Sequence, residues 1–239
     1  MRADIQEIFS SIQGEGLYVG VGQVFLRFRG CNLSCTYCDT PETGECRVEQ
    51  TPGRQDFKII HGQLEAGEAL EAVSRLWRGS TRHLSLTGGE PLLYPEFIQE
   101  LSCSEYPLYL ETNSSLPWRA EKIKDVLAVA ACDLKLPEHH ASNNYSKLLE
   151  QEKKTLEIFH TQGVETFAKI IVTPDTTPAT LTPAVEAIKE VSKDIPLILQ
   201  PVSPRGLEAP RLLELLEHAS GLLETVRIIP QTHRILGIL

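Results

Sequence analysis

Seven short apolar runs, each of strand length, recur along the 239-residue chain with longer helix-patterned stretches between them. They fall at residues 23–28, 83–87, 107–111, 129–134, 166–172, 196–200 and 225–229. Between them, Ala66, Ala69, Leu70, Val73, Leu76 and Trp77 repeat at the three- and four-residue spacing of one helix face. Tyr145, Leu148, Leu149, Leu156 and Phe159 form a second such face, Val185, Ile188 and Val191 a third, and Leu212, Leu213, Leu215 and Leu216 a fourth. A helix between successive strands makes each connection a crossover, so the strands lie parallel. The α/β pattern is short of the eight units that close a barrel, and predicts an incomplete (β/α) barrel with about six parallel strands. Chemistry in such folds gathers at the C-terminal ends of the strands, where this chain places its polar and glycine-rich motifs. Residues 1–239 read as a single domain, with an irregular insertion at 41–62 that has the composition of a lid.

Cys31, Cys35 and Cys38 stand in Cys-Asn-Leu-Ser-Cys-Thr-Tyr-Cys, directly after the first of those strands. Their spacing is C-x3-C-x2-C, with no fourth cysteine close by. Iron–sulfur clusters are ordinarily held by four thiolates, so three leave one iron of a [4Fe–4S] cube open to a small molecule. A structural zinc site is the other reading of three cysteines; it needs a fourth ligand, which Cys46 or His61 could supply. Cys103 and Cys132 are scattered and read, with Cys46, as small hydrophobes or incidental thiols. His139 and His140 read as a solvated pair in a polar loop.

The triplet, with aromatic Tyr37 before its last cysteine, resembles the signature of the radical S-adenosylmethionine superfamily. That resemblance implies an open iron that chelates S-adenosylmethionine, and a reduced cluster that cleaves the sulfonium to a 5′-deoxyadenosyl radical. It also places Tyr37, Cys38 and Asp39 beside the cofactor. Leu86-Thr-Gly-Gly-Glu-Pro91 is similar to the superfamily's glycine-glycine-glutamate-proline element, which makes Gly89 and Glu90 candidates for the cofactor's amino group. Two adjacent glycines let backbone polar groups approach a ligand without Cβ obstruction. Further strand ends, at Thr112 and Asn113 and at Asp133, Leu134 and Lys135, are expected against the nucleoside.

Gln13-Gly-Glu-Gly near the N-terminus and Arg27 before the cysteines narrow the resemblance. Together with Cys38-Asp-Thr40 and the C-terminal segment around His233, they resemble the 7-carboxy-7-deazaguanine synthase family of 7-deazapurine (queuosine) biosynthesis, over nearly the whole chain. The family implies a carbon–nitrogen lyase that contracts the ring of 6-carboxy-5,6,7,8-tetrahydropterin. It implies Mg²⁺ on Thr40, and a substrate wall made of Ile12, Gln13, Gly14, Glu15, Arg27, Thr87, His233 and Leu239. It also implies a small-molecule substrate, a flavodoxin- or ferredoxin-like electron donor and a homodimer. The chain ends Gly237-Ile-Leu239, where the family often has a proline. A glycyl-radical activating enzyme is the alternative within the superfamily; a non-catalytic zinc module on Cys31, Cys35, Cys38 and Cys46 is the alternative outside it.

Composition sets the remaining bounds. A formal net charge of −9 argues against a broad grip on nucleic acid. No apolar run approaches the roughly 18 residues of a membrane span, and the first residues lack the apolar stretch of a secretion signal. A cytoplasmic setting, where thiols stay reduced, is the expectation.

Overall fold

The computed structural model describes residues 1–38, 40, 44–202 and 207–239. Its strands are β1 (Arg2–Ala3), β2 (Ile5–Ile12), β3 (Gly22–Phe28), β4 (Cys46–Glu49), β5 (Phe57–Ile60), β6 (Leu64–Glu65), β7 (Thr81–Gly88), β8 (Leu108–Thr112), β9 (Val129–Asp133), β10 (Glu165–Val172), β11 (Leu197–Pro201) and β12 (Val226–Ile228). Its helices are α1 (Ala66–Leu76), α2 (Pro95–Leu101), α3 (Pro117–Ile123), α4 (Tyr145–Gln162), α5 (Pro178–Val191), α6 (Ala209–Ser220) and α7 (Thr232–Leu236). Each of the seven expected strands and four expected helices is present. Of the three short helices that helix periodicity did not reveal, α2 and α3 open on Pro95 and Pro117, at the first-turn position where a missing N–H costs nothing.

Ten strands form one sheet in the order β12-β11-β10-β9-β8-β7-β3-β2-β4-β5, and β1 pairs with β6 apart from it. From β3 through β12 each neighbouring pair is parallel. The parallel part therefore has seven strands, one more than the pattern suggested. Among the described residues the order ends at β5 and β12 without ring closure, which makes the barrel incomplete.

Two findings differ from the sequence expectation. Residues 5–12 form β2, antiparallel to β3, with Ile5 through Phe9 all buried. Burial on both faces removes the apolar–polar alternation that would have marked it as a strand. The stretch expected to be irregular instead carries the β4–β5 hairpin, with register pairs from Cys46↔Ile60 to Glu49↔Phe57. That hairpin extends the main sheet through Glu7↔Arg47 and Ile8↔Val48.

Strand residues alternate between two apolar environments, as a covered parallel sheet requires. Leu84, Leu86, Leu110, Ile170 and Leu199 face the helices, packing with Phe97, Leu156, Phe159, Leu181 and Val185. Tyr109, Val129, Ala131, Phe167 and Ile198 face inward and form a separate cluster, against which Leu17 and Tyr18 pack. The β2–β3 connection thus closes the floor of the barrel and leaves its C-terminal mouth for polar groups.

Candidate active site

At that mouth lies a cavity of about 530 Å³, within the range of small-molecule sites. The loop after β3 brings Cys31, Cys35 and Cys38 to one wall. The ends of β7, β8, β9 and β10 add Thr87 and Gly89, Glu111 to Asn113, Asp133 and Lys169; Lys135 follows β9. Gln13, Gly14 and Glu15 after β2, with His233 and Leu239 from the C-terminal segment, make the opposite wall.

The cysteine loop is fixed by contacts on two sides. Cys38 N–H donates to the Cys35 carbonyl at 3.2 Å, and Thr36 N–H to the His139 carbonyl at 3.1 Å. The Tyr37 ring meets His139 edge-on at 4.7 Å, while its hydroxyl accepts from Lys135 Nζ at 2.9 Å. Gly89 N–H donates to the Phe28 carbonyl and Glu90 N–H to the Gly30 carbonyl. A Cβ on Gly89 would stand 1.9 Å from the Gly30 oxygen, so this glycine is required by the cysteine loop itself as well as by any ligand.

The donor set fits an iron–sulfur cube. Three thiols of one loop ring a shared wall, whereas Cys46 is buried within β4 and His61 is exposed outside the cavity. Burial pushes the Cys31 and Cys35 thiols above their usual range, so an uncompensated thiolate is disfavoured there. Iron bound by these sulfurs would supply the missing positive charge.

Behind the cysteines, Lys135 Nζ binds Asp133 Oδ2 at 2.5 Å, and Lys135 N–H donates to the Glu152 carboxylate from α4. Glu90 and Leu134, expected on the cofactor side, are fully buried and lie behind the cavity lining. Glu90 accepts from Thr112 Oγ1 at 2.7 Å, Asn113 N–H at 2.8 Å and Leu92 N–H at 2.9 Å. Burial pushes its carboxyl up to about 7 even against those donors. Its place is to hold the end of β8. Asp39 lies outside the described residues.

On the facing wall Gln13 is only 2 % exposed. Its amide N–H groups go to Glu111 at 2.7 Å and Gln23 at 3.2 Å, and its oxygen accepts from Glu15 N–H at 3.0 Å. Both of the amide's donors are therefore taken by the protein. Glu111 also accepts from Thr87 Oγ1 at 2.9 Å. Glu15 binds Lys169 at 2.6 Å and accepts from Gln231 at 2.9 Å. Burial raises the Glu15 carboxyl, but the Lys169 charge and the surrounding donors outweigh it and bring it down to about 2. Arg27 Nε donates to Glu7 at 2.8 Å, which leaves the guanidinium's outer edge unclaimed by that carboxylate. Beside it, Phe9 and Phe25 stack at 5.1 Å.

The C-terminal segment closes over this wall. Thr232 N–H donates to the Gly14 carbonyl at 2.9 Å, and Ser11 Oγ to the Leu239 carbonyl at 2.7 Å. A Cβ on Gly14 would lie 2.3 Å from His233 Nδ1, so only glycine permits the approach. His139 corrects the expectation of a solvated pair. It is fully buried, its Nδ1 accepts from Leu136 N–H, and its Nε2 donates to the Ile171 carbonyl; burial lowers it to about 4.

Sequence reasoning did not identify Glu7, Arg47, Lys169, Gln200, Gln231 or Arg234 as cavity residues. Lys169 carried a signal, being a cation inside an apolar parallel strand, where charges are rare unless paired.

A cubane-ready cysteine loop at the mouth of an open parallel barrel defines a radical S-adenosylmethionine enzyme, and residues 25–188 match the Radical SAM superfamily. The 7-carboxy-7-deazaguanine synthase of Geobacter sulfurreducens is 40% identical, with 98% of this chain and 97% of that protein aligned. Those of Methanothermobacter thermautotrophicus and Archaeoglobus fulgidus are 40% and 38% identical, each over 100% of this chain and over 98% and 100% of their own lengths. The chain belongs to the 7-carboxy-7-deazaguanine synthase family. The crystal structure of QueE from Escherichia coli shares the fold, with a TM-score of 0.58 over 95% of this chain and 94% of that one at 21% identity.

Proposed function

We propose that residues 1–239 act as one domain that converts 6-carboxy-5,6,7,8-tetrahydropterin to 7-carboxy-7-deazaguanine with release of ammonia. The observation that carries this is a single cavity with the cysteine loop on one wall and the Gln13–Glu15 turn, Arg27 and His233 on the other. When bound, the cluster and S-adenosylmethionine supply one-electron chemistry that removes a hydrogen atom from an unactivated carbon. Tyr37, Cys38, Gly89, Thr112, Asn113, Asp133 and Lys135 form the cofactor side. Ile12, Gln13, Gly14, Glu15, Arg27, Thr87, His233 and Leu239 form the substrate side.

Each side has a physical task. Gln13 orients Glu111 and the Glu15 backbone, so the polar edge facing the heterocycle is set before it arrives. Phe9 and Phe25 give the flat ring an apolar face. The segment from Gln231 to Leu239 covers the ring and excludes water, held by Gly14 and Ser11. Thr40 contributes a hydroxyl to the cavity wall. Mg²⁺ keeps most of its water and takes few protein ligands, which suits one hydroxyl together with substrate oxygens.

A flavodoxin- or ferredoxin-like carrier is the proposed reductant, and a cytoplasmic homodimer the proposed state. All six cysteines are unpaired, which suits a reducing compartment. Both ends of the sheet order leave strand edges that a second copy can cover. Among the described residues no helix is long and apolar enough to cross a membrane.

The deciding experiment is anaerobic turnover of the reconstituted protein with the pterin, S-adenosylmethionine, Mg²⁺ and reductant. Deazaguanine formation supports the assignment. Cleavage of S-adenosylmethionine without any deazaguanine refutes the substrate while leaving the superfamily intact.

A further inference from the structure

The β4–β5 hairpin delivers a cation to the cavity that the substrate wall proposed above does not use. Arg47 lies on β4 and lines the cavity together with Arg27 and Thr87. Its guanidinium sits 4.1 Å from the centroid of Phe57, on the paired strand β5. Cation–π stacking of this kind holds a long side chain in one orientation and leaves the edge of its planar fork available. The strand pairing Glu7↔Arg47 fixes the height at which the fork enters.

The other cavity cations with carboxylate partners are engaged at close range. Lys135 binds Asp133 at 2.5 Å, Lys169 binds Glu15 at 2.6 Å, and Arg27 binds Glu7 at 2.8 Å. Arg47 reaches the second oxygen of Glu7 only at 3.9 Å, beyond hydrogen-bond length. Glu7 is thus shared by two guanidinium groups, and it satisfies Arg27 first. Among the described residues two guanidinium groups share the one Glu7 carboxylate, and Arg47 offers a fork shaped for a planar anion. The stacked pair Phe9 and Phe25 adjoins it, with Arg27 at 5.8 Å from the Phe9 centroid. A flat ring carrying a carboxylate on its edge matches both features.

We propose that Arg47 is a receptor for the substrate's carboxylate and sets the preference for a carboxylated ring over an uncarboxylated one. The assignment rests on the pterin reading of the site. It makes the hairpin a part of the binding wall rather than a lid.

Binding of fluorescent pterins to the cluster-loaded protein, followed by fluorescence titration, tests this without turnover. Pterin-6-carboxylate and 6-methylpterin are compared on wild type, Arg47→Ala, Arg47→Lys and the exposed hairpin control Lys58→Ala. A charge-assisted pair predicts that Arg47→Ala weakens the carboxylated compound by about ten- to a hundredfold. Binding of 6-methylpterin should be unchanged, which also reports an intact site. Arg47→Lys should fall between, since it keeps the charge and loses the fork. Lys58→Ala should match wild type. Equal weakening of both compounds, or a carboxylate preference that survives Arg47→Ala, overturns the assignment while leaving the pterin reading in place. If wild type binds neither compound, the pterin reading falls and the Arg47 assignment falls with it.

Discussion

Replacing Glu15 by Gln tests whether the Gln-Gly-Glu-Gly turn is held by charge. Glu15 and Lys169 meet at 2.6 Å, with side chains 16% and 11% exposed. The Glu15 carboxyl is drawn from 4.5 to about 2 because the Lys169 charge and its hydrogen bonds overcome the cost of burial. At about 1.4 kcal/mol per unit, the ionised form contributes about 3 kcal/mol to the folded state near neutral pH. Because the folded pKa is depressed, that contribution is complete above the unfolded value of 4.5 and disappears as pH falls towards about 2. Glu15→Gln should therefore lose about 3 kcal/mol at pH 7, and the gap from wild type should shrink to less than half by about pH 3. Urea unfolding of the cluster-free chain measures this without interference from the acid lability of iron–sulfur groups. The double change Glu15→Leu with Lys169→Met removes both charges and should recover most of the loss. A penalty below about 1 kcal/mol at pH 7, or one that does not change with pH, would refute the charge argument.

Further outcomes follow from the same geometry. Serine at Cys31, Cys35 or Cys38 should abolish the broad absorption near ~400 nm of the reconstituted protein while far-ultraviolet circular dichroism is kept; Cys46→Ser should stay brown. A colourless protein holding one tight zinc would reverse the cofactor assignment. Gly14→Ala forces the His233 backbone outward and breaks the Thr232 contacts, so KM for the pterin should rise about tenfold with a smaller change in kcat. An unchanged KM would mean that the C-terminal segment does not cover the substrate. Glu90, raised by burial from 4.5 to about 7, binds its proton more tightly folded than unfolded. Wild-type stability should therefore fall as pH rises from about 4.5 to 7, and Glu90→Gln should flatten that window in thermal unfolding. A slope that survives Glu90→Gln would assign it to another group.

The parallel part of the fold was legible because its strands and helices differ in period. The run at 166–172 and the helix face from Tyr145 to Phe159 are each set by local sequence, and both match β10 and α4. β2 was not legible for the opposite reason. Ile5, Gln6, Glu7, Ile8 and Phe9 are all buried, so a polar residue at Glu7 marks no solvent face; it marks the partner of Arg27. The hairpin was masked by its turn residues. Pro52 and Gly53 dominate a stretch whose strands are only four residues each, too short for alternation to stand out.

In the site, motifs name the groups that can act, and distant residues decide which of them are already occupied. Gln13 is expected on the substrate wall, yet Gln23 and Glu111, the latter 98 residues away, take both of its donors. Glu15 is expected on the substrate wall, yet Lys169, 154 residues away, and Gln231, 216 residues away, both bind it. Arg27 is expected on the same wall, and Glu7 occupies its Nε side. In each case the side chain's capacity for a ligand is reduced by a partner that only the closed sheet brings near. The unspent hydrogen-bonding capacity then lies elsewhere on the same wall, at Arg47. It is carried there by a strand with no motif of its own, so the proposed carboxylate receptor is placed by the sheet extension and not by the signature residues.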